Sequence, residues 1–469
     1  MTLTTNCAFL ENEILDAARL FKNRPQTITH AFRFENGVFY NAFQIDGENY
    51  SFQDRQAVEN ELDYKRFERR FAKLHLYEIL SKKYGEYMPW GALTGIRPTK
   101  LAYTEIENGR DYKKLLKQMH VGAENVALVE QILQTQAGIY EKNDENTDVF
   151  VSLPFCPTKC AYCSFITAPI DKTKHFLPAY LDCLEKEIAG AKRLVKNLRS
   201  VYIGGGTPFA LDAPDLKRVL IATQKLYDNK AEYTVEAGRP DTFTEEKLKL
   251  LKDYGVNRIC INPQTFSDVT LQKIGRKHTV ADFYRAYELS EKYAFTVNID
   301  LIAGLTEETV ETFALGVEKA VETGAENITV HCLSLKSGAK LKEEISYIEN
   351  ALVSEMVGCS REILGKKGYL PYYMYRQKYQ AGNNENVGWT KEGHACVYNI
   401  DVMEETANNL AVGANAISKR VQNAIGRIDR FASQKDLKTY IENIDKIIEE
   451  KEKFFSIKAK KRLDFNLHS

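Results

Sequence analysis

Three cysteines fall close together in the segment SLPFCPTKCAYCSF: Cys156, Cys160 and Cys163, spaced Cys-x3-Cys-x2-Cys. Thiolates grouped in this way bind metal. A structural zinc takes four ligands, usually as two pairs, and no second Cys pair or His-x3–5-His follows nearby. Zinc would therefore be one ligand short. A [4Fe–4S] cluster also takes four thiolates. Three would leave one iron open, and an open iron is a place for chemistry. Thiol oxidoreduction by Cys160 and Cys163 is a further alternative. The other six cysteines, Cys7, Cys183, Cys260, Cys332, Cys359 and Cys396, are scattered. Each reads as a small buried hydrophobe.

The cysteine segment directly follows a short apolar run, DVFVSL (148–153). Five similar runs come after it: SVYIGG (200–205), EYTVEA (232–237), NRICIN (257–262), TVNIDLIAG (296–304) and NITVHCL (327–333). Amphipathic helical stretches separate them. The first carries Leu177, Leu181, Leu184, Ile188, Val195 and Leu198 on one stripe. Six β-then-α units imply a parallel sheet buried on both faces. They are too few for the closed eightfold barrel, so an open partial barrel or a doubly wound sheet is expected. Ligands collect at the C-terminal strand ends of either. The chain places there Gly204-Gly205-Gly206-Thr207-Pro208, Glu236, Gln264, Arg276 and Asp300. Taken singly, each polar residue reads as a cap, a surface group or a salt-bridge partner. At five successive strand ends they read as one site.

Flanking regions differ in texture. Residues 1–145 are expected to form a separate α+β unit, with a hairpin at Asn36-Gly37 and a helix over roughly 53–84 stopped by Gly85. One face of that helix carries Tyr64, Phe67, Phe71 and Leu74; the other carries Lys65, Arg66, Arg69, Arg70 and Lys73. The basic face reads as solvated, with a nucleic-acid contact as the minor alternative. Residues 146–340 form the α/β core, and 341–469 a third, α+β region with a tyrosine-rich stretch at 369–379. The whole chain of 469 residues has 64 Lys+Arg against 64 Asp+Glu, so no global field favours nucleic acid or an anionic membrane. Hydrophobic content of 44% fits a folded, soluble chain. No apolar run approaches the roughly 18 residues of a membrane span. The N-terminal segment carries acids where a signal peptide would carry bases. A cytoplasmic location, where thiols stay reduced, is expected.

The ordered motifs PFC-x3-C-x-Y-C-x-F, GGGTP, VEAGRP, INPQTF, GRKHT and DLIAGL, over 148–335, resemble the radical S-adenosylmethionine superfamily. Within it they resemble the oxygen-independent coproporphyrinogen III oxidase (coproporphyrinogen dehydrogenase) group. LTGIRPTKL (93–101), YRQK (375–378), AGNNENVG (381–388) and CVYN (396–399) are similar to its longer, HemZ-type variant. The resemblance implies a partial (βα)6 barrel. It implies Cys156, Cys160 and Cys163 as ligands of a [4Fe–4S] cluster, with S-adenosylmethionine chelating the open iron. Gly205, Gly206, Thr207, Glu236, Gln264, Arg276 and Asp300 would line the S-adenosylmethionine site. The implied reaction is oxidative decarboxylation of two propionates of coproporphyrinogen III, giving protoporphyrinogen IX in haem biosynthesis. A flavodoxin or ferredoxin would supply electrons. A tetrapyrrole with four carboxylates needs cations and flat walls, so Arg376 and Lys378 among the tyrosines, and Arg97 and Lys100, are candidate substrate contacts. Packing of the C-terminal region against the barrel is the alternative reading of that stretch.

Three departures stand out. Phe150 occupies a position where the group often has Tyr, Ser152 one where it often has His, and Phe165 one where some members have Cys. They put a second S-adenosylmethionine in doubt. Haem-chaperone relatives carry His-Asn-x-x-Tyr-Trp; here His394 is followed by Ala395 and no Trp. Haem ligation by His394 or Cys396 stays open as an alternative, as does a radical enzyme acting on another substrate.

Overall fold

The computed structural model describes residues 1–58, 61–94, 97–164, 168–227, 230–334, 339–341, 350–377 and 383–456. These residues form two compact units, one of residues 1–94 with 101–130 and one of 97–100 with 131–456.

In the first unit, β1 (Thr2–Thr5), β2 (Thr27–Glu35), β3 (Val38–Ile45) and β4 (Glu48–Arg55) form one sheet in sequential order. Asn36 and Gly37 both take positive φ, 51° and 75°, as a two-residue turn between right-twisted strands requires. Residues 48–55 pair with β3 as a strand, so the helix expected from 53 begins at Glu61 and runs to Tyr84. Strand alternation turns Phe39 onto Phe67, ring centroids 4.7 Å apart. The basic face of the helix is not a row of open cations. Lys65 pairs with Glu61, Arg66 with Asp63, Arg69 and Lys73 with Glu13, and Arg70 with Glu105.

In the second unit, all six apolar runs form strands. They are β5 (Asn146–Leu153), β8 (Asn197–Gly205), β9 (Glu232–Gly238), β10 (Arg258–Ile261), β11 (Thr296–Ala303) and β12 (Asn327–Cys332), and neighbours pair in parallel in that order. The two-residue strands β6 (Phe155–Cys156) and β7 (Ala168–Pro169) sit in the loop after β5. The C-terminal region extends this sheet at both edges. β13 (Leu370–Tyr375) and β14 (Asn386–Thr390) add antiparallel beyond β12. β15 (Asn408–Val412) pairs in parallel with β5, and β16 (Ile417–Gln422) and β17 (Arg427–Ala432) follow antiparallel. Among the described residues the resulting sheet has eleven strands and is open: its two end strands, β13 and β17, do not pair with each other. This is an α/β partial barrel with added edges.

Long-range polar contacts fasten the added strands. Ser152 donates to the Ala414 carbonyl at 2.8 Å, while Tyr180 donates to the Ser152 carbonyl at 2.7 Å. Buried Glu187 accepts from Tyr440 and from the Gly413 N–H, both at 2.7 Å, and pairs with buried Lys451. In β14, Gly388 lies where any Cβ would overlap the Tyr373 ring.

Arg97 and Lys100 are ion-paired within the protein. They hold buried Glu405, Arg97 at 2.8 Å, together with Lys419 at 3.4 Å and Arg430 at 3.3 Å. Burial alone would raise this carboxyl; Lys100, Arg97 and Lys419 outweigh it and hold Glu405 at about 2. A depressed carboxyl contributes stability above its unfolded value, and that contribution is lost as the pH falls from about 4.5 toward 2. Glu405→Gln should destabilise the protein at neutral pH by about 1–2 kcal/mol, because it removes the one anion that several half-buried cations share. It should also flatten the acid limb of the stability curve. Denaturant melts of both proteins between pH 7 and pH 3 check this.

Candidate cluster and cofactor site

The cysteine loop is tied down by backbone from several elements. β5 ends at Leu153, and β6 then carries Cys156 past the turn after β8. The Thr207 N–H donates to the Phe155 carbonyl at 2.7 Å, and the Thr207 hydroxyl donates to the Cys156 sulfur at 3.6 Å. Cys163 N–H donates to the Cys160 carbonyl at 3.1 Å, closing a turn between the second and third thiols. Ala161 N–H donates to the Ile274 carbonyl and Leu341 N–H to the Ala161 carbonyl, both at 2.9 Å. Arg276 is buried here. It donates to the Tyr162 hydroxyl at 2.9 Å and to the Asn262 carbonyl at 2.6 Å, so it clamps the cysteine loop to the end of β10.

The donor set suits a cluster. Burial pushes the Cys156 thiol up to about 11, with smaller contributions from Cys163 and Cys160 opposed by the Thr207 hydrogen bond. Such a thiol ionises readily only when a cation takes up the charge. Among the described residues, no three His, Cys, Asp or Glu side chains converge on one ion-sized point. Three thiols supplied by one tied-down loop are the soft donors that an iron–sulfur cluster takes.

The glycine-rich turn forms the rim beside these thiols. Gly205 has φ of 98°, a conformation that L side chains rarely adopt. A Cβ on Gly204 would stand 2.6 Å from Glu236 Oε2, and one on Gly206 would stand 2.5 Å from the Phe155 carbonyl oxygen. Burial first, then the neighbouring Asp300, pushes the Glu236 carboxyl up to about 8, against a hydrogen bond from the Gly205 N–H. Asp300 Oδ1 accepts from Asn298 at 2.7 Å and lies 3.6 Å from His331 Nε2. Gln264 has φ of 71°, and its N–H donates to the Asp300 carbonyl at 3.0 Å, carrying the chain beyond β10 alongside β11. The structure thus gathers the three cysteines, Gly205, Gly206, Thr207, Glu236, Gln264, Arg276 and Asp300 at the C-terminal ends of the parallel strands.

Arg376 stands apart. It is buried and donates to the Asn383 carbonyl at 3.0 Å as well as to the Asn383 side chain, and burial pushes its guanidinium down to about 9. These bonds tie it to the loop that carries Asn383. Lys378 lies outside the described residues, as does Phe165.

Below the rim the barrel holds a lumen that the sequence reading missed. Its walls include Tyr202, Thr234, Arg258, Cys260 and His331. The available signal was a polar residue at every second position of otherwise apolar strands: Thr234 with Glu236, Arg258 with Cys260, Asn298 with Asp300. Segment 394–399 crosses the N-terminal end of the lumen. Arg258 donates to the His394 carbonyl at 3.0 Å, and Glu232 accepts from the Cys396 thiol at 3.1 Å and from the Val397 and Tyr398 N–H groups at 3.0 and 3.1 Å. Phe150 faces the same interior, ring centroid 6.2 Å from both Tyr202 and Tyr398.

Residues 150–315 match the model of the Radical SAM superfamily. The "Oxygen-independent coproporphyrinogen-III oxidase-like protein HemZ" of Bacillus subtilis (strain 168) is 35% identical over 395 residues, covering 80% of this chain and 79% of that protein. The "Heme chaperone HemW" of Lactococcus lactis subsp. lactis is 37% identical over 190 residues, 40% of this chain and 49% of that protein. Among solved structures, coproporphyrinogen III oxidase (HemN) from Escherichia coli shares the fold, with TM-score 0.54 and 21% identity, covering 67% of this chain and 72% of that one.

Two outcomes are expected of the rim. A carboxyl raised from about 4.5 to about 8 on folding makes the ligand-free protein lose stability as the pH rises through that window. Glu236→Gln should remove this fall, as thermal melts from pH 5 to pH 9 would show. Gly206→Ala drives a methyl group into backbone and should weaken S-adenosylmethionine binding by at least about tenfold, measured by equilibrium dialysis.

Proposed function

Because this chain belongs to the radical S-adenosylmethionine superfamily, in the group of the HemZ oxygen-independent coproporphyrinogen-III oxidase-like proteins, we propose that it decarboxylates coproporphyrinogen III oxidatively. The product is protoporphyrinogen IX. The superfamily works with a [4Fe–4S] cluster and S-adenosylmethionine, which together supply a reducing electron and a carbon radical that takes hydrogen atoms. Cys156, Cys160 and Cys163 would hold the cluster. Gly205, Gly206, Thr207, Glu236, Gln264 and Asp300 would line the S-adenosylmethionine site, and Arg276 would keep the cysteine loop in place. Each reacting propionate gives up one hydrogen atom from the carbon β to its carboxyl, one carbon dioxide and one electron. An external one-electron acceptor takes that electron, and a flavodoxin or ferredoxin is the proposed donor to the cluster.

The observation that carries this reading is the joint placement of three thiols, a glycine rim and the Glu236–Asp300 pair at one end of the partial barrel. A haem-carrying role draws support from the 190-residue likeness to HemW. Its candidate ligand Cys396 is buried with its thiol committed to Glu232, and His394 lies 3.4 Å from the Thr296 hydroxyl. The engagement of Cys396 supports catalysis as the first reading and haem transport as the second. No helix among the described residues is long and apolar enough to cross a membrane.

Anaerobically reconstituted protein, supplied with S-adenosylmethionine, a reductant and coproporphyrinogen III, should yield both 5′-deoxyadenosine and vinyl product. Cys156→Ala should yield neither. Formation of 5′-deoxyadenosine with no vinyl product would overturn the substrate. Stable haem binding with no 5′-deoxyadenosine would replace the enzyme by a carrier.

A further inference from the structure

The lumen beneath the rim has a volume of about 110 Å³. A cavity of about 150 Å³ holds the six carbons of benzene, so one of about 110 Å³ takes a group of roughly four or five non-hydrogen atoms. A tetrapyrrole cannot enter; one three-carbon acid arm, with five such atoms, can.

The lumen has two rings of opposite character. The upper ring carries the acids Glu236 and Asp300. Two residues earlier on the same strands, about 6.7 Å lower, lie Thr234 and Asn298, with Arg258 beside Thr234 in register. This lower ring is rich in donors. The Thr234 hydroxyl is buried, 2% exposed, and has no partner. Tyr372 accepts from Asn399 Nδ2 at 3.0 Å, which leaves its own O–H to donate elsewhere. Arg258 has five N–H donors and directs them at the His394 carbonyl, the Asn327 side chain and Glu232, 3.4 Å away. That leaves guanidinium donors beyond these three partners. The Glu232 charge behind it is met by the Cys396 thiol and two helix N-terminal amides.

We propose that Arg258, Thr234 and Tyr372 form a carboxylate subsite at the bottom of the lumen. It takes the carboxylate of one short acid arm of the substrate, threaded past the acidic ring. The inference rests on the decarboxylase reading for the identity of the arm, but not for the chemistry of the subsite. With the carboxylate seated in the lower ring, the rest of the arm extends toward the rim and the remaining carboxylates of a larger substrate stay outside.

The probe is sodium propionate, titrated by calorimetry into reconstituted protein loaded with S-adenosylmethionine. Saturable binding is expected, with neutral propionamide at least about tenfold weaker. Thr234→Val and Tyr372→Phe keep shape and remove one hydroxyl each. Each should raise the propionate Kd, and the KM for coproporphyrinogen III, about fivefold to tenfold. Retained S-adenosylmethionine binding verifies that a variant is folded. Equal affinity for propionate and propionamide, no saturable propionate binding, or propionate affinity untouched in both folded variants would overturn the subsite. If propionate binds through these hydroxyls while coproporphyrinogen III gives no vinyl product, the substrate reading fails and the subsite stands. If vinyl product forms with unchanged KM in both variants, the subsite fails and the reading stands.

Discussion

A carboxylate at the rim of the barrel, pressed against bare backbone, sets the terms for the site. Glu236 fits only because residue 204 has no Cβ, and the next glycine both bends the chain at positive φ and offers its N–H to the acid. The third glycine lets the same turn lie on the backbone of 153–155, and from there Thr207 reaches Cys156. One short run of small residues thus links the acid to the thiols. A side chain at 204 would strike the acid, and one at 206 would strike the backbone that leads to Cys156.

The opposite end of the barrel solves a related problem with charge. Glu232 and Arg258 are both largely buried, and neither is left to face the other alone. Glu232 serves as the acceptor for the start of the helix Val397–Glu404, where free N–H groups favour an anion. Arg258 takes the carbonyl just before it and the Asn327 side chain. The pair therefore seats a segment from the C-terminal region across strands formed more than a hundred residues earlier. That seating also brings Asn399 and the tyrosines of β13 to the lumen wall.

Legibility in the sequence followed the range of the interaction. The six core strands were readable because buried parallel strands are apolar runs that end in polar residues. The cysteine loop and glycine turn were readable because their chemistry depends on neighbours within ten residues. The pairing of Arg97 and Lys100 was not readable because their partner, Glu405, lies some three hundred residues away. Arg276 was placed at the right end of the barrel, yet its clamp on Tyr162 depends on a loop over a hundred residues earlier. The start of the first long helix was misplaced because residues 48–55 pair with β3, a choice that tertiary pairing makes against local pattern. Arg376 is also bonded to Asn383, a contact within one loop that the sequence alone did not reveal.

The position of β15 has a consequence for how the chain is made. It covers the edge of β5, the strand that delivers the cysteines, yet it lies more than 250 residues downstream. During synthesis the ribosome must release nearly nine-tenths of the chain before that edge can be paired. Until then an apolar strand with unpaired backbone groups is open to wrong partners. A cysteine loop formed before β15 arrives hangs from a strand that still has one bare side.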